Sequence, residues 1–238
     1  MTTEALIRPD GWLSGVMARA AFAVDVPSRD ASLRELARHA RAHRGAFYTA
    51  KLPVDRVADV RALCEIGFAV VDTGVTFERP MGSVTATLRD VPITLADDES
   101  GEQAALVAMR SFQWSRFHLD PRIPRETADR IKGEWVRSYV RKSRGDALLV
   151  ASAGGSVVGF VAALVADGSA VIDLIAVDPS HQGAGIGRAL IARHIDAYAS
   201  TVARYRVGTQ AANSASVRLY ESLGYRLHGA TYALHLHA

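Results

Sequence analysis

Residues 175–188 read Ile175-Ala176-Val177-Asp178-Pro179-Ser180-His181-Gln182-Gly183-Ala184-Gly185-Ile186-Gly187-Arg188, an order suited to holding an anion on main-chain amides. An apolar run ends at Val177 and Pro179 bars its continuation. A glycine-dense turn then leads straight into Ile186, Leu190, Ile191 and Ile195 at helical spacing. Glycines at 183, 185 and 187 open backbone conformations closed to other residues and let a ligand approach the chain. Several N–H groups then converge beside the positive end of a helix dipole. The dinucleotide spacing G-x-G-x-x-G fails, because Arg188 stands three residues after Gly185, and no Gly-Lys-Ser/Thr follows to make a P-loop. What remains is Gln182, Gly185 and Gly187 in the pattern Q-x-x-G-x-G.

A second group lies downstream. Asn213 is a competent N-cap for Ser214–Leu223, and Tyr220 follows about two turns later, on the same helix face. A phenol stays neutral at pH 7 and can donate a proton. Asp173 shares strand parity with Ile175 and Val177, which makes it a candidate base or, equally, a polar residue at a strand edge. The only cysteine, Cys64, falls on an expected inward helix face and reads as a small core residue rather than a nucleophile.

The elements that must position these groups are legible in outline. Ala21–Val26 is a short strand, and Ser28–Asp30 starts a helix with Leu33, Leu36, Ala37 and Ala40 on one face, stopped at Gly45. Phe47–Leu52 is a strand, and Asp55 caps a helix with Val57, Val60, Leu63 and Cys64 inward, closed by Gly67. Phe68–Asp72 and Val75–Glu78 read as strands joined at Thr73–Gly74. Pro80–Ser83 is the expected boundary, dividing a small α/β domain (1–82) from a larger one (83–238). Beyond it come a strand (Val84–Leu88), a helix (Asp98–Phe112), and a helix (Arg125–Ser143) with Ala128, Ile131, Trp135 and Tyr139 on one face. Ala147–Ala151, Val157–Val165 and Ala170–Val177 follow as an antiparallel meander, turning at Gly154–Gly155 and Asp167–Gly168. Helix Ile186–Tyr198, strand Tyr205–Thr209, helix Ser214–Leu223 and two last strands, Tyr225–Leu227 and Thr231–Leu236, complete an α/β chain with a mixed sheet.

The Q-x-x-G-x-G turn, the meander before it, the Val-Asp-Pro exit and the Asn213-to-Tyr220 helix together resemble the GNAT N-acetyltransferase superfamily. The resemblance implies that residues 182–188 hold the diphosphate of acetyl-CoA, and that strand amides at Ile175, Ala176 and Val177 meet the pantetheine arm and the thioester oxygen. It further implies that Asn213 contacts the cofactor and that Tyr220 protonates the departing thiolate. A primary amine would attack the acetyl carbonyl directly, with no covalent enzyme intermediate. Most of the chain is also similar, more loosely, to the dTDP-fucosamine acetyltransferase branch. The similarity rests on Phe47-Tyr-Thr-Ala-Lys-Leu52, Gly67–Phe77 and Ser115-Arg-Phe-His-Leu-Asp-Pro-Arg-Ile-Pro124. That branch implies a dTDP-linked amino-deoxy-sugar as the acceptor, with Arg116, His118 and Trp135 as candidate contacts.

Charge is consistent with an anionic acceptor. Between Arg116 and Arg144 nine basic residues face four acids, whereas the whole chain carries only +3. Arginine grips phosphate through paired donors. The plain alternative is a solvated helix with Glu126–Arg130 and Arg130–Glu134 pairs, and the alternative for His118 is a loop cap. Two other readings stand beside the sugar: another amine acceptor (a peptide or protein N-terminus, a lysine, a polyamine, an antibiotic), or a non-catalytic acyl-CoA-binding regulatory module. The complete loop and Tyr220 argue against the last. The length of 238 residues, 49% hydrophobic and 22% charged, suits a folded chain of one large or two smaller domains. The low net charge and the absence of a long apolar run predict neither a nucleic-acid nor a membrane partner. One cysteine excludes an internal disulfide and any multi-cysteine metal site, and no metal is expected. A cytoplasmic location is the default, and a homodimer is possible through the N-terminal part.

Overall fold

The computed structural model describes residues 7–26, 31–82 and 90–238. Its elements are β1 (Ile7–Pro9), α1 (Gly11–Met17), β2 (Ala21–Val24), α2 (Ala31–Ala42), β3 (Phe47–Pro53), α3 (Val57–Glu65) and β4 (Ala69–Pro80). After these come β5 (Ile93–Leu95), α4 (Asp98–Ser111), α5 (Arg116–Leu119), α6 (Arg125–Val140), β6 (Ala147–Ala153), β7 (Ser156–Ala166) and β8 (Ser169–Val177). The chain ends with α7 (Ile186–Tyr198), β9 (Arg204–Gln210), α8 (Ser214–Ser222) and β10 (Arg226–His237). All ten described strands form one mixed sheet in the order β1-β2-β3-β10-β4-β9-β8-β7-β6-β5. The sheet is continuous across position 82, because β10 lies between β3 and β4 and β4 pairs with β9.

The expected meander is present, with β6, β7 and β8 antiparallel in sequence order. Its turns place Gly154, Gly155, Asp167 and Gly168 at positive φ, the geometry that matches the strand twist in a two-residue hairpin. Two expected pairs of short strands are instead single long ones. Thr73–Gly74 does not turn: Gly74 pairs with Gln210 on one side and Thr231 on the other, so ladders on both edges hold β4 extended. Likewise β10 runs through Gly229, absorbing the break as a shift of register between Leu227 and Gly229.

Helices cover both faces. Leu36 and Leu63 pack with Tyr48 and Leu234, while Ile186, Leu190 and Tyr220 pack with Ile172 and Val207. On the opposite face Leu13, Phe117 and Ile131 cover Phe47, and Ala104, Val136 and Tyr139 cover Phe160 and Leu174. Trp135 touches both of these last clusters. Helix α3 differs from its expected packing: Leu63 is buried, Val57 is 65% exposed and Cys64 is exposed. Its N-cap is Arg56, with no side-chain bond, rather than Asp55. Helix α6 stops at Val140, three residues short of the expected end. The expected helix start at Ser28–Asp30 and the expected strand Val84–Leu88 lie outside the described residues.

Asp120 pins the C-terminal strand. Its carboxylate accepts from His235 Nδ1 at 2.7 Å and from His237 Nε2 at 2.9 Å, with all three side chains buried.

Candidate active site

A cleft opens where two parallel strands part. β8 and β9 pair only from Ser169–Arg204 to Ile172–Val207. β8 then runs on to Val177 beside β7 alone, so the main chain of 173–177 faces the gap with one ladder instead of two. Backbone groups in that state require partners, and an elongated ligand with amide groups can supply them. The cleft has a volume of about 630 Å3.

The glycine turn closes one end of it. Asp178 accepts from Ser180 N and fixes a 3-10 turn over Pro179–His181. Gly185 then caps α7 at φ 81° with no side-chain hydrogen bond. The first helical bond at this end runs from Ala189 N to Gly185 O, so the amides of Ile186, Gly187 and Arg188 precede it, in the position that suits an anion. A Cβ on Gly187 would stand 3.5 Å from Leu219 and 3.7 Å from Val177, ordinary contacts. Internal packing therefore does not demand glycine there. Arg110 pairs with Asp178 at 2.5 Å and ties the turn to α4.

Ile175, Ala176, Val177, Gln182, Gly183, Gly185, Ile186, Gly187, Arg188, Asn213 and Tyr220 all line this one cleft. Ala184 does not; it packs against the core cluster of α7. Gln182 donates its side-chain amide to Val177 O at 3.1 Å, and Arg188 donates to Ser222. Asn213 accepts from Ser216 N and caps α8, as its type and place predict. Tyr220 is 2% exposed, and burial pushes its phenol well above its ordinary pKa. It therefore stays protonated and able to donate across the physiological range.

Asp173 lines the cleft too, but on a different side from the one strand parity assigns. β8 carries a bulge there: Ala162 pairs with Leu174 and Ala163 with Ile172, leaving Asp173 extra. A bulge turns two successive side chains to the same side. Leu174 packs with Tyr139 of α6, and Asp173 reaches the same helix, whereas Ile175 and Val177 pack towards α7. The Asp173 carboxylate accepts from Trp135 Nε1 at 2.8 Å, Tyr139 Oη at 2.7 Å, Arg144 Nε at 2.6 Å and Arg144 Nη2 at 3.0 Å. Burial alone would raise its pKa, but the Arg144 bonds outweigh it and the net shift is downward. A carboxylate held this way is a weak base; its role here is to hold α6 and Arg144 in place.

A second cavity of about 340 Å3 lies on the other side of the Trp135–Asp173 hydrogen bond and is lined by Asp10, Trp12, Arg116, Trp135, Ser138 and Arg144, among others. Arg116 and Trp135, the expected acceptor contacts, both line it. His118 lines neither cavity: it is held by Ser115 Oγ at 2.6 Å and Asp129 Oδ1 at 2.9 Å and braces the loop. The expected Glu126–Arg130 and Arg130–Glu134 pairs are not among the ion pairs of the described residues; Arg130 bonds to Val16 O, and Glu134 pairs with Arg137 and Arg141.

Trp12, Arg144 and Lys132 escaped the sequence reading as site residues. For Lys132 a signal existed: it falls in the series 128, 132, 135, 139 on the inward face of α6, where a lysine is out of place. Asp120, His235 and His237 bring ligand-type atoms within 4.8 Å of one another. Arg19 donates to His237 Nδ1 at 3.1 Å, so Nε2 carries the proton and is spent on Asp120. That donor set is engaged in holding β10 rather than open to a cation.

A family model described as "Acetyltransferase (GNAT) family" matches residues 106–225. The Bacillus subtilis (strain 168) "Spore coat polysaccharide biosynthesis protein SpsD" is 32% identical over 60% of the chain, a match spanning half of that protein's own length. The "dTDP-fucosamine acetyltransferase" of Escherichia coli O6:H1 is 25% identical over 78% of the chain and 80% of its own. Among solved structures, a GCN5-related N-acetyltransferase from Kribbella flavida has a TM-score of 0.63 at 15% identity, covering 99% of this chain and 91% of that one. Among the described residues no helix is long and apolar enough to cross a membrane.

Proposed function

The chain belongs to the GNAT acetyltransferase family, and from that premise we propose that it transfers the acetyl group of acetyl-CoA to the amino group of a nucleotide-linked amino-deoxy-sugar. The glycine turn fits a diphosphate: amides of residues 186–188 stand at the helix start, and Gly187 lacks the atom that would hold a phosphate away. The open edge of β8 suits the pantetheine amides and the thioester oxygen. Tyr220, buried and neutral, is the acid for the departing sulfur.

One observation carries the acceptor class. Arg116 lies against the second cavity with no carboxylate partner among the ion pairs of the described residues. Desolvation pulls its pKa down to about 10. Asp10 and Asp72 act on it only through space, with no ion pair formed, and a desolvated cation held this way asks for an anion in contact. Arg144 adds a second guanidinium, and the Trp12 and Trp135 rings, 5.7 Å apart, offer aromatic faces. A sugar nucleotide brings both a diphosphate and a base, and the two relatives are named for polysaccharide biosynthesis and for an amino-sugar acetyltransferase.

The test is thiol release from acetyl-CoA against dTDP-4-amino-sugars, short peptides, polyamines and an aminoglycoside. Turnover with the nucleotide sugars at least a hundredfold above the rest supports the reading; turnover with peptides alone replaces it.

A further inference from the structure

Lys132, on α6, is 7% exposed and lines the acetyl-CoA cleft together with Asp173, Ile175 and Tyr220. Its Nζ lies 4.7 Å from the Phe112 ring centroid and 4.8 Å from that of Trp135. No ion pair among the described residues includes it, and Asp173, the carboxylate facing it, is taken by Trp135, Tyr139 and Arg144. Trp135 is also the wall of the acceptor cavity. We propose that Lys132 is the general base of the reaction, its amine, set against the Trp135 ring that lines the second cavity, taking the proton from the acceptor's ammonium. The inference rests on the acetyltransferase reading and adds a group that no side chain recognised from the sequence supplies.

The surroundings keep this amine ready to accept. Arg116 from α5, Lys51 from β3 and Arg144 beyond α6 face it with positive charge, against Asp173 from β8 alone. His118 is neutral and held by Ser115 and Asp129. Burial and the like charges push Lys132 down to about 7, a value suited to proton transfer at neutral pH. The two ring faces accommodate the ammonium form once it has formed.

Protons balance as follows. The acceptor ammonium gives one proton to Lys132 Nζ, and its freed nitrogen bonds to the thioester carbonyl carbon. The carbon–sulfur bond breaks, and sulfur takes the Tyr220 proton. The nitrogen's surplus proton returns to the Tyr220 oxygen, and Lys132 releases its own to solvent.

Two measurements on the full chain test this. In the first, trace acetic anhydride labels the protein between pH 5 and 10 with peptide mapping of Lys51, Lys132 and Lys142, the only lysines. Half-labelling of Lys132 near pH 7 is the expected result. Half-labelling of Lys132 at about pH 10, the ordinary lysine value, overturns the proposal, as does stoichiometric acetylation of Lys132 by acetyl-CoA alone, which would make it a nucleophile. The second is kcat/KM against pH with a dTDP-4-amino-sugar. Lys132→Met and Lys132→Arg should both fall on the order of 10²- to 10⁴-fold at pH 7 and lose the limb near 7, with acetyl-CoA affinity within twofold of wild type. An active Lys132→Arg with the wild-type limb overturns it, since guanidinium does not titrate there. Wild type that turns over no nucleotide sugar sinks the acceptor reading instead, and the labelling decides the base by itself.

Discussion

Trp135 donates its indole N–H to Asp173 across 2.8 Å, and that bond joins a residue of the second cavity to one of the glycine-turn cleft. The same carboxylate holds Tyr139 and Arg144. One bulged residue of β8 therefore holds α6, the Trp135 wall of the second cavity and the Arg144 guanidinium that lines it.

Asp173→Asn tests that positioning role. The substitution removes the counter-ion of Arg144 without emptying the space. Acceptor KM should rise about tenfold, equivalent to about 1.4 kcal/mol, and the limb near pH 7 should persist but move to lower pH, because Asp173 no longer raises Lys132. Loss of that limb would restore Asp173 as the base.

Tyr220→Phe removes one hydroxyl from a buried ring. Turnover should drop on the order of 10²-fold or more in a thiol-release assay, while calorimetry gives an acetyl-CoA affinity close to wild type. Equal turnover would take the phenol out of the chemistry.

The two glycines of the turn separate conformation from ligand approach. Gly185 sits at φ 81°, so Gly185→Glu adds backbone strain of about 1–2 kcal/mol and a negative charge at the diphosphate site; no acetyl-CoA binding should be measurable. Gly187→Ala meets only ordinary protein contacts at 3.5 and 3.7 Å. Its melting temperature should stay near wild type while acetyl-CoA affinity falls. Unchanged affinity in both variants would remove the turn from the cofactor site.

Asp120 predicts acid lability. Hydrogen bonds from His235 and His237 hold its pKa below the ordinary carboxylate range despite burial, and burial pushes His235 down to about 4. The unfolded chain binds protons more readily at both groups, so stability is lost as the pH is lowered. The histidine contribution is lost from about pH 6.5 towards 4, and the carboxylate contribution below about pH 4. Asp120→Asn should cost about 3 kcal/mol at pH 7, from two bonds to a charged acceptor. It should also flatten the low-pH end of a urea-midpoint series; a parallel curve would contradict the assignment.

The amino-acid sequence by itself determined the meander, the glycine turn, helix α7 from Ile186 to Tyr198 and the Asn213 cap, because each rests on local information: turn residues at fixed offsets, helical periodicity, an N-cap of the right type. Strand continuity at Gly74 and Gly229 was not local. Gly74 is held on both edges by Gln210 and Thr231 and Gly229 on one edge by Thr76, and those pairings override the glycine's tendency to break a strand.

Only the tertiary structure decided which charged groups face the reaction. One extra residue in β8 turns Asp173 away from Ile175 and Val177 and into the hands of Arg144, a reversal that alternation along a strand cannot encode. The low pKa of Lys132 comes first from burial and then from Arg116, Asp173, Lys51 and Arg144, drawn from separate parts of the chain. Electrostatic energy depends on distance through space and on exclusion of water, and both exist only once the sheet has brought those residues together.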